Sequence, residues 1–340
     1  MRRPTRYSLL VALALIVALV VAILLRKAAP PEAARLLPES DAIVYFNLKP
    51  LRLATHFERS TVSRAPDYQH FVDATGIVPE RDLDIAAFAL HRMDNPNGPN
   101  GPVGYSEVFE GRFDGEKLAR YLGSIASARE TYAGHTIYTV AITDGGVTRP
   151  LRVAQLGYDT IAASNMPTAE QIHSILDRHR AAALPFSGSS LLSARYRDVP
   201  LLSSAWGIGH IGLPFSDRGY ISIFGLQLPL PEDTTFVASL RPSVTSIHLR
   251  VEEIAPTEAD AERSAHVLNS LIQILQAIPP KLAAEAEKTD ADAMRDFIGS
   301  LKVEQHKDRA VITASVPLEL LKRIAAPQNA PVVPAIDPGR

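Results

Sequence analysis

The sequence predicts an α+β protein in which an N-terminal transmembrane helix is followed by two related α+β units, each with a mostly antiparallel sheet covered by helices. Three observations carry this prediction. Ser8 to Leu25 are 18 consecutive positions without a charge. Beyond them, short β-branched and aromatic runs alternate with segments of helical periodicity. The order of those runs occurs twice, as two strands, a helix and a hairpin.

At about 1.5 Å per residue the first segment makes a helix about 27 Å long, close to the thickness of a bilayer core. It is apolar all round, with Ser8, Leu9, Leu13, Ile16, Leu19, Ile23 and Leu25 spread over every face. A helix buried in a soluble core would instead carry a polar stripe. Arg2, Arg3 and Arg6 precede the span, which favours a cytoplasmic N-terminus and a body outside the cytoplasm. The expected location is the bacterial inner membrane, crossed once, with most of the chain periplasmic or extracellular. A cleaved signal peptide is the competing reading. Its apolar region is usually shorter, whereas this run is long and meets Arg26 and Lys27, so the reading kept is an uncleaved signal-anchor spanning residues 1–27 with its tail.

Composition narrows the partners. The 340 residues contain no cysteine, which excludes a disulfide framework, a thiolate nucleophile, Cys-ligated metals and a lipid carried on cysteine. Beyond the span the chain has 32 basic and 37 acidic side chains, a net charge of −5, and no block of five basic residues. No nucleic-acid surface is expected. The expected partner is the lipid bilayer, through residues 8–25, together with an envelope protein or a second copy of the chain.

Residues 28–38, rich in Ala and Pro, read as a linker. The first unit, 39–185, opens with a strand at Ala42 to Leu48, then an irregular helical region at Pro50 to Thr75. Asp84 to His91 and Tyr105 to Phe113 are strands joined by the turn-rich Asn95 to Gly104. Asp114 is the N-cap of a helix whose inward face holds Leu118, Tyr121, Leu122 and Ile125. Hairpins follow at Ala128–Tyr132 with Thr136–Ile142, and at Leu151–Leu156 with Thr160–Ala163. Thr168 and Gln171 read as a capping box for a helix with Ile172, Ile175 and Leu176 inward.

The second unit, 186–326, has strands at Leu202–Gly209, Tyr220–Leu228, Thr235–Arg241 and Ser246–Glu252. Thr257 and Asp260 cap a long helix with Ala261, Ala265, Leu268, Ile272, Leu275 and Ile278 at core spacing. A further helix carries Met294, Phe297, Ile298 and Leu301. Leu301–His306 and Arg309–Ser315 form a hairpin around Lys307-Asp308, and Pro317 starts a last helix ending near Ile324. In the repeat, the hairpin at 128–142 is matched to that at 301–315. Two such sheets set side by side would bury their edges in one continuous sheet. Residues 327–340 form a Pro-rich disordered tail.

The opening Leu37-Pro38, with Tyr45 and Leu48 at fixed distance, resembles the start of uncharacterised exported bacterial proteins that are membrane-anchored at the N-terminus and carry repeated α+β modules. The long Ala-rich helix, the final hairpin and Val316-Pro317-Leu318 are similar too. The resemblance implies a fold type and a location, and no activity.

No catalytic, cofactor-binding or metal residue is nominated. Gly207-Ile-Gly209-His-Ile-Gly212 matches a dinucleotide fingerprint, but Leu213-Pro214 opposes the helix that would hold the pyrophosphate. The ten histidines do not cluster; His173 and His179, six apart on one helix, face away from each other, and His179 between Arg178 and Arg180 reads as a solvated helix end. No serine lies in a nucleophile motif. Trp206, the only tryptophan, reads as a core plug between the units or as a groove residue with His210, which shares its strand face. The expectation is a membrane-tethered extracytoplasmic binding or scaffolding protein, with a hydrolase whose site assembles only in three dimensions, or an oligomerising structural subunit, as alternatives.

Overall fold

The computed structural model describes residues 29–59, 64–98, 101–144, 146–181, 188–210, 220–223, 226–229, 234–243, 245–277 and 288–318. Chain order begins with α1 (Glu32–Leu36), β1 (Ala42–Asn47), α2 (Leu48–Thr55), a 3-10 turn (Phe57–Arg59), α3 (Pro66–Thr75) and α4 (Pro79–Asp82). Next come β2 (Leu83–Arg92), β3 (Val103–Gly111), α5 (Gly115–Ile125), β4 (Ala126–Tyr132), β5 (His135–Asp144), β6 (Val147–Gln155), β7 (Thr160–Ser164) and α6 (Glu170–Arg180). The remainder is α7 (Ser190–Arg195), a 3-10 turn (Tyr196–Asp198), β8 (Ala205–His210), β9 (Tyr220–Ile223), β10 (Leu226–Pro229), β11 (Thr235–Pro242), β12 (Ser246–Ile254), α8 (Glu258–Ala277), α9 (Lys288–Ser300), β13 (Lys302–His306) and β14 (Arg309–Pro317).

Twelve strands form one antiparallel sheet in the order β13-β14-β12-β11-β8-β1-β2-β3-β7-β6-β5-β4. The sheet is continuous across the middle of the chain. Its seam is β1 against β8, where Tyr45 pairs with Trp206 and Ile43 with Ile208. The two rings stack with centroids 5.3 Å apart, and Tyr196 meets Trp206 edge-on.

Alternation divides the sheet into two faces. On the front, Ile43, Tyr45, Ala87, Val108, Ala162, Ala154 and Ile137 follow the register from β1 to β5 and are all buried. Helices α1, α6 and α7 cover this face through Ala33, Ala34, Leu36, Ile172, Ile175, Leu176 and Leu192. On the back, Leu118 and Leu122 of α5 pack with Val140, Val153 and Ala163, and Phe71 of α3 joins them. Farther along, α8 and α9 lie on β13 and β14; Ser264 of α8 donates to Glu253 of β12 at 2.9 Å, which puts that helix on the back as well.

Local signals explain several boundaries. Asp114 accepts from the Lys117 backbone N–H at 3.0 Å, as an N-cap should. Thr257 accepts from the Asp260 N–H and donates to its carboxylate, closing the start of α8. Lys307 turns the last hairpin with φ +55°. Ala261, Ala265 and Ile272 are the buried positions of α8; Met294 of α9 is exposed.

Four expectations change. Residues 28–38 are not a solvated linker: from Glu32 the chain is helical, and Ala33, Ala34, Leu36 and Leu37 are buried in the main core. Alanine suits that role because only a small side chain lets a helix lie directly on the small residues of β2, such as Ala87 and Ala89. The capping box at Thr168 and Gln171 does not form, since α6 starts one residue later with Ala169 at the cap. Tyr220–Leu228 is two short strands in a separate two-stranded sheet. The hairpin that lies beside β3, as β13–β14 lies beside β12, is β6–β7; β4–β5 is further out.

Ser8 to Leu25, the division at 185/186, Ile278, Gly212 and residues 319–340 lie outside the described residues, and with them the helix expected from Pro317 beyond Leu318; Pro317 itself is the last residue of β14. Among the described residues, no helix is long and apolar enough to cross a membrane.

Candidate functional site

Among the described residues, the helical layers on the back face pack on the outer strands and leave β1, β2, β8 and β11 between them. The residues those strands turn to the back form an apolar strip. Phe46, Val44 and Ala42 of β1 pair with Ala86, Phe88 and Leu90 of β2. These in turn pair with Phe109, Glu107 and Tyr105 of β3. Phe88 contacts Phe46 and Phe109 edge-to-face, with centroids 6.3 and 5.8 Å apart, the arrangement aromatic quadrupoles favour. Phe46 is 36% exposed. Val44, Phe88 and Tyr105 are half-buried against Ala42, Leu90 and Val103.

On the other side of β1 the strip continues as Gly207 and Gly209 of β8, paired with Val44 and Ala42. A Cβ on Gly209 would come within 2.5 Å of the Ala42 Cβ, so glycine here lets two strands approach closely. Gly207 and Gly209 therefore lie within a strand, where they open no helix N-terminus for a pyrophosphate.

One charge interrupts the strip. Glu107 sits between Phe88 of β2 and Ala163 of β7, and among the described residues it has no ion-pair or hydrogen-bond partner. Burial pushes its carboxyl up to about 7, because an apolar environment disfavours the charged form. Sequence reasoning passed over this residue. A signal was present: in Tyr105-Ser-Glu-Val-Phe109 the alternation puts the acid on the same face as two aromatics.

On the front, His91, Ser106 and Ser164 form a chain across β2, β3 and β7. His91 Nε2 lies 3.0 Å from Ser106 Oγ, which lies 3.2 Å from Ser164 Oγ. All three are buried, and Ser106 has no exposed surface. Burial lowers the His91 pKa, against a smaller opposing effect of Asp41, which favours the neutral imidazole. A serine sealed in the core has no route to a substrate; the trio ties three strands together.

Trp206 is in the core at the seam. His210 shares its face but ends the strand in an exposed position, its ring 3.3 Å from the Thr235 hydroxyl. Four residues of strand separate the two by about 13 Å, so the structure does not bring them together as a groove. His179 is not simply solvated: it packs edge-on against His135 with centroids 5.6 Å apart, and burial lowers its pKa first of all. His173 stacks on Tyr132 instead. Among the described residues, no group of three or more metal-ligating side chains converges.

A concavity of about 750 Å³ opens at one end of β11, β12 and β14, lined by Ser239, Arg241, His248, Arg250 and Lys302, with Asp198 and Pro200 in its wall. Asp198 is held by Arg309 at 3.1 Å and Arg250 by Glu252 at 2.9 Å.

No protein-family model and no curated protein matches the sequence. Solved structures of TP0453, a Treponema protein, are similar in architecture. Crystal form III gives a TM-score of 0.48 at 10% identity, over 87% of this chain and 98% of that one. Crystal form IV gives 0.44 at 12% identity, over 87% and 96%.

Proposed function

We propose that this chain is a membrane-tethered extracytoplasmic binding protein without catalytic activity, and that the apolar strip between the two helical layers of the back face is where it holds an apolar ligand. The observation that carries this reading is the edge-to-face run Phe46–Phe88–Phe109 on strands that neither helical layer covers. Ligand sites are mostly apolar surfaces with a few polar groups, and Glu107 is such a group. The tether is Ser8 to Leu25, the body lies on the outer side of the bacterial inner membrane, and the chain is akin to the exported, anchored proteins its opening resembles. The two units are related: β1-β2-β3 and β8-β11-β12 run outward from the seam in matching order, and each series is followed by helices on the back face.

A hydrolase is less well supported, because the serine–histidine side-chain contact seen among the described residues, Ser106 with His91, is sealed in the core. Assembly through sheet edges is also disfavoured. The edge strand β13 alternates Lys302, Glu304 and His306 outward, and β4 carries Arg129 and Glu130 exposed; such charges block edge pairing.

The test uses the full chain in nanodiscs, with Phe46→Cys carrying an environment-sensitive dye, titrated with uncharged alkyl probes of increasing length. Saturable binding is expected, tightening about fourfold per methylene, the equivalent of about 0.8 kcal/mol. Phe88→Asp should abolish it, and binding should weaken from pH 6 to 8 as Glu107 ionises. A response that fails to saturate, or that Phe88→Asp leaves unchanged, refutes the reading.

A further inference from the structure

The sheet has two ends, and they differ in a way the apolar strip does not explain. One end is a row traced through the register: Thr160, Glu110, Ile85 and Asn47 on β7, β3, β2 and β1. The Asn47 N–H donates to the Ser204 carbonyl, and the Ser204 N–H to that of Leu240. The row then continues as Arg241, His248 and Ser315 on β11, β12 and β14. Just beyond it lie Tyr158, in the turn between β6 and β7, Leu201 and Leu202, in the turn before β8, and Leu53 of α2.

These four are the most exposed large apolar side chains among the described residues, at 84, 63, 76 and 77%. From the β6–β7 turn to β8 is four to five strand spacings, so they spread over about 20 Å. Scattered surface leucines need no explanation, but a set collected at one end of a sheet does. Leu202 also holds φ +67°, a conformation unfavourable for a side chain with a Cβ.

The basic cleft opens at the same end. Its wall residue Pro200 adjoins Leu201, and Arg241 and Lys302 have no ion-pair partner among the described residues. Of the acids nearby, Asp82 is neutralised by Arg81 and Arg112, Asp84 by Lys49 and Arg52, and Asp198 by Arg309; Glu32, Glu110 and Asp159 gather at the β3 and β7 side of this end, several strands from the basic cleft.

The chain also enters the body here. The Ala33 N–H of α1 bonds the carboxylate of Glu110, a member of the row. Six residues, Arg26 to Pro31, separate Leu25 from α1. Fully extended they reach at most about 22 Å. A tether that short holds this end at the bilayer and keeps the far end, where the β2–β3 loop with Asn97 lies, at least a strand length away.

We infer that this end of the sheet is a lipid-docking surface: Tyr158, Leu53, Leu201 and Leu202 enter the interfacial layer of an anionic membrane, and the cleft of Arg241, His248, Arg250 and Lys302 receives lipid phosphates. The inference rests on the tethered reading of Ser8 to Leu25. It adds an orientation: the apolar strip then stands upright from the membrane, with its Phe46 end nearest the lipid.

Because the chain lacks cysteine, single probes can be introduced cleanly. Tyr158→Cys, Leu202→Cys and Asn97→Cys, each dye-labelled in the full chain, are reconstituted into phosphatidylcholine vesicles with and without phosphatidylglycerol, and quenched by headgroup nitroxide lipids. Probes at 158 and 202 should be quenched several-fold more than the probe at 97, most strongly with phosphatidylglycerol. Arg241→Glu combined with Lys302→Glu should cut the phosphatidylglycerol-dependent part at least about tenfold, since each cation near such a surface is worth about fivefold. Inorganic phosphate that abolishes the difference in place of lipid would overturn the assignment to a membrane. Chains that float with vesicles but quench equally at all three sites overturn the docking surface alone. Chains that fail to float overturn the tethered reading and this inference with it.

Discussion

Glu107, in the half of the sheet built from β1 to β7, lies among Phe88, Phe109 and Ala163 without a charged partner. Glu252, in the half built from β8 to β14, is more deeply buried, yet its two carboxylate oxygens take Arg309 at 2.5 Å and Arg250 at 2.9 Å. The difference follows from what covers each strand. In the first half Glu107 is turned to the back face, where its neighbours in the register are Phe88 and Ala163, so its carboxylate meets hydrocarbon. In the second half the front face carries, beside the core residues Ile208, Val237 and Ile254, a polar cluster of Ser239, Arg250, Glu252, Arg309 and Thr313 brought together by the register. Charges there neutralise one another within a network anchored on Asp198. One half is held chiefly by burial, the other partly by ion pairs.

The largest test of this contrast is at the seam. Trp206→Ala removes a ring that is 4% exposed and stacked on Tyr45, and should cost about 4 kcal/mol, in the range for large-to-small core changes. Circular dichroism during urea unfolding measures it, since the only tryptophan is gone. If the halves are coupled through the seam, the wild type unfolds in one transition and the variant in two. A loss below about 1 kcal/mol would show that the stack does not join them.

Next comes the ionic half. Arg309→Met should cost about 3 kcal/mol at neutral pH, because it removes the guanidinium shared by two buried carboxylates and leaves Glu252 only Arg250 and Asp198 only the more distant Arg195. Converting Glu252 to Met as well should recover most of that loss, as apolar groups commonly replace a buried pair without penalty. A double variant no more stable than Arg309→Met would mean that the cost lies in lost packing of the arginine stem.

The strands and most helices were legible because their signals are local. Alternation at Ala42–Asn47 and Arg309–Ser315, and caps at Asp114 and Thr257, depend on neighbours in sequence. Ala33 and Ala34 were read as linker because Ala/Pro composition is the same for a solvated tether and for a helix pressed onto small residues; only the sheet beneath distinguishes them. The strip was partly legible, since Phe46, Phe88 and Phe109 each stand in an apolar strand, but that they touch depends on the register of three strands. Glu107 needed both levels: its alternation put it with aromatics, and the burial that makes it unusual comes from β2 and β7. Leu53, Tyr158 and Leu202 are far apart in sequence and come to the same end of the sheet only through topology.

The smallest effect isolates Glu107. Its folded pKa, raised by burial to about 7 from 4.5, means the native state binds more protons than the unfolded chain between those values. The protonated acid is therefore accommodated fully below about pH 4.5, and stability is lost as pH rises through 7. A shift of this size corresponds to about 3 kcal/mol at one pKa unit per 1.4 kcal/mol, and partial exposure reduces it to about 2. Glu107→Gln keeps the shape and removes the ionisation. It should match the wild type near pH 4.5 and be about 2 kcal/mol more stable at pH 8, measured by urea unfolding at both. Glu252→Gln should do the opposite at pH 8 and destabilise, because there the charge is what Arg309 and Arg250 require. If the two substitutions shift stability in the same direction at pH 8, the contrast between an unpartnered carboxylate and a networked one is wrong.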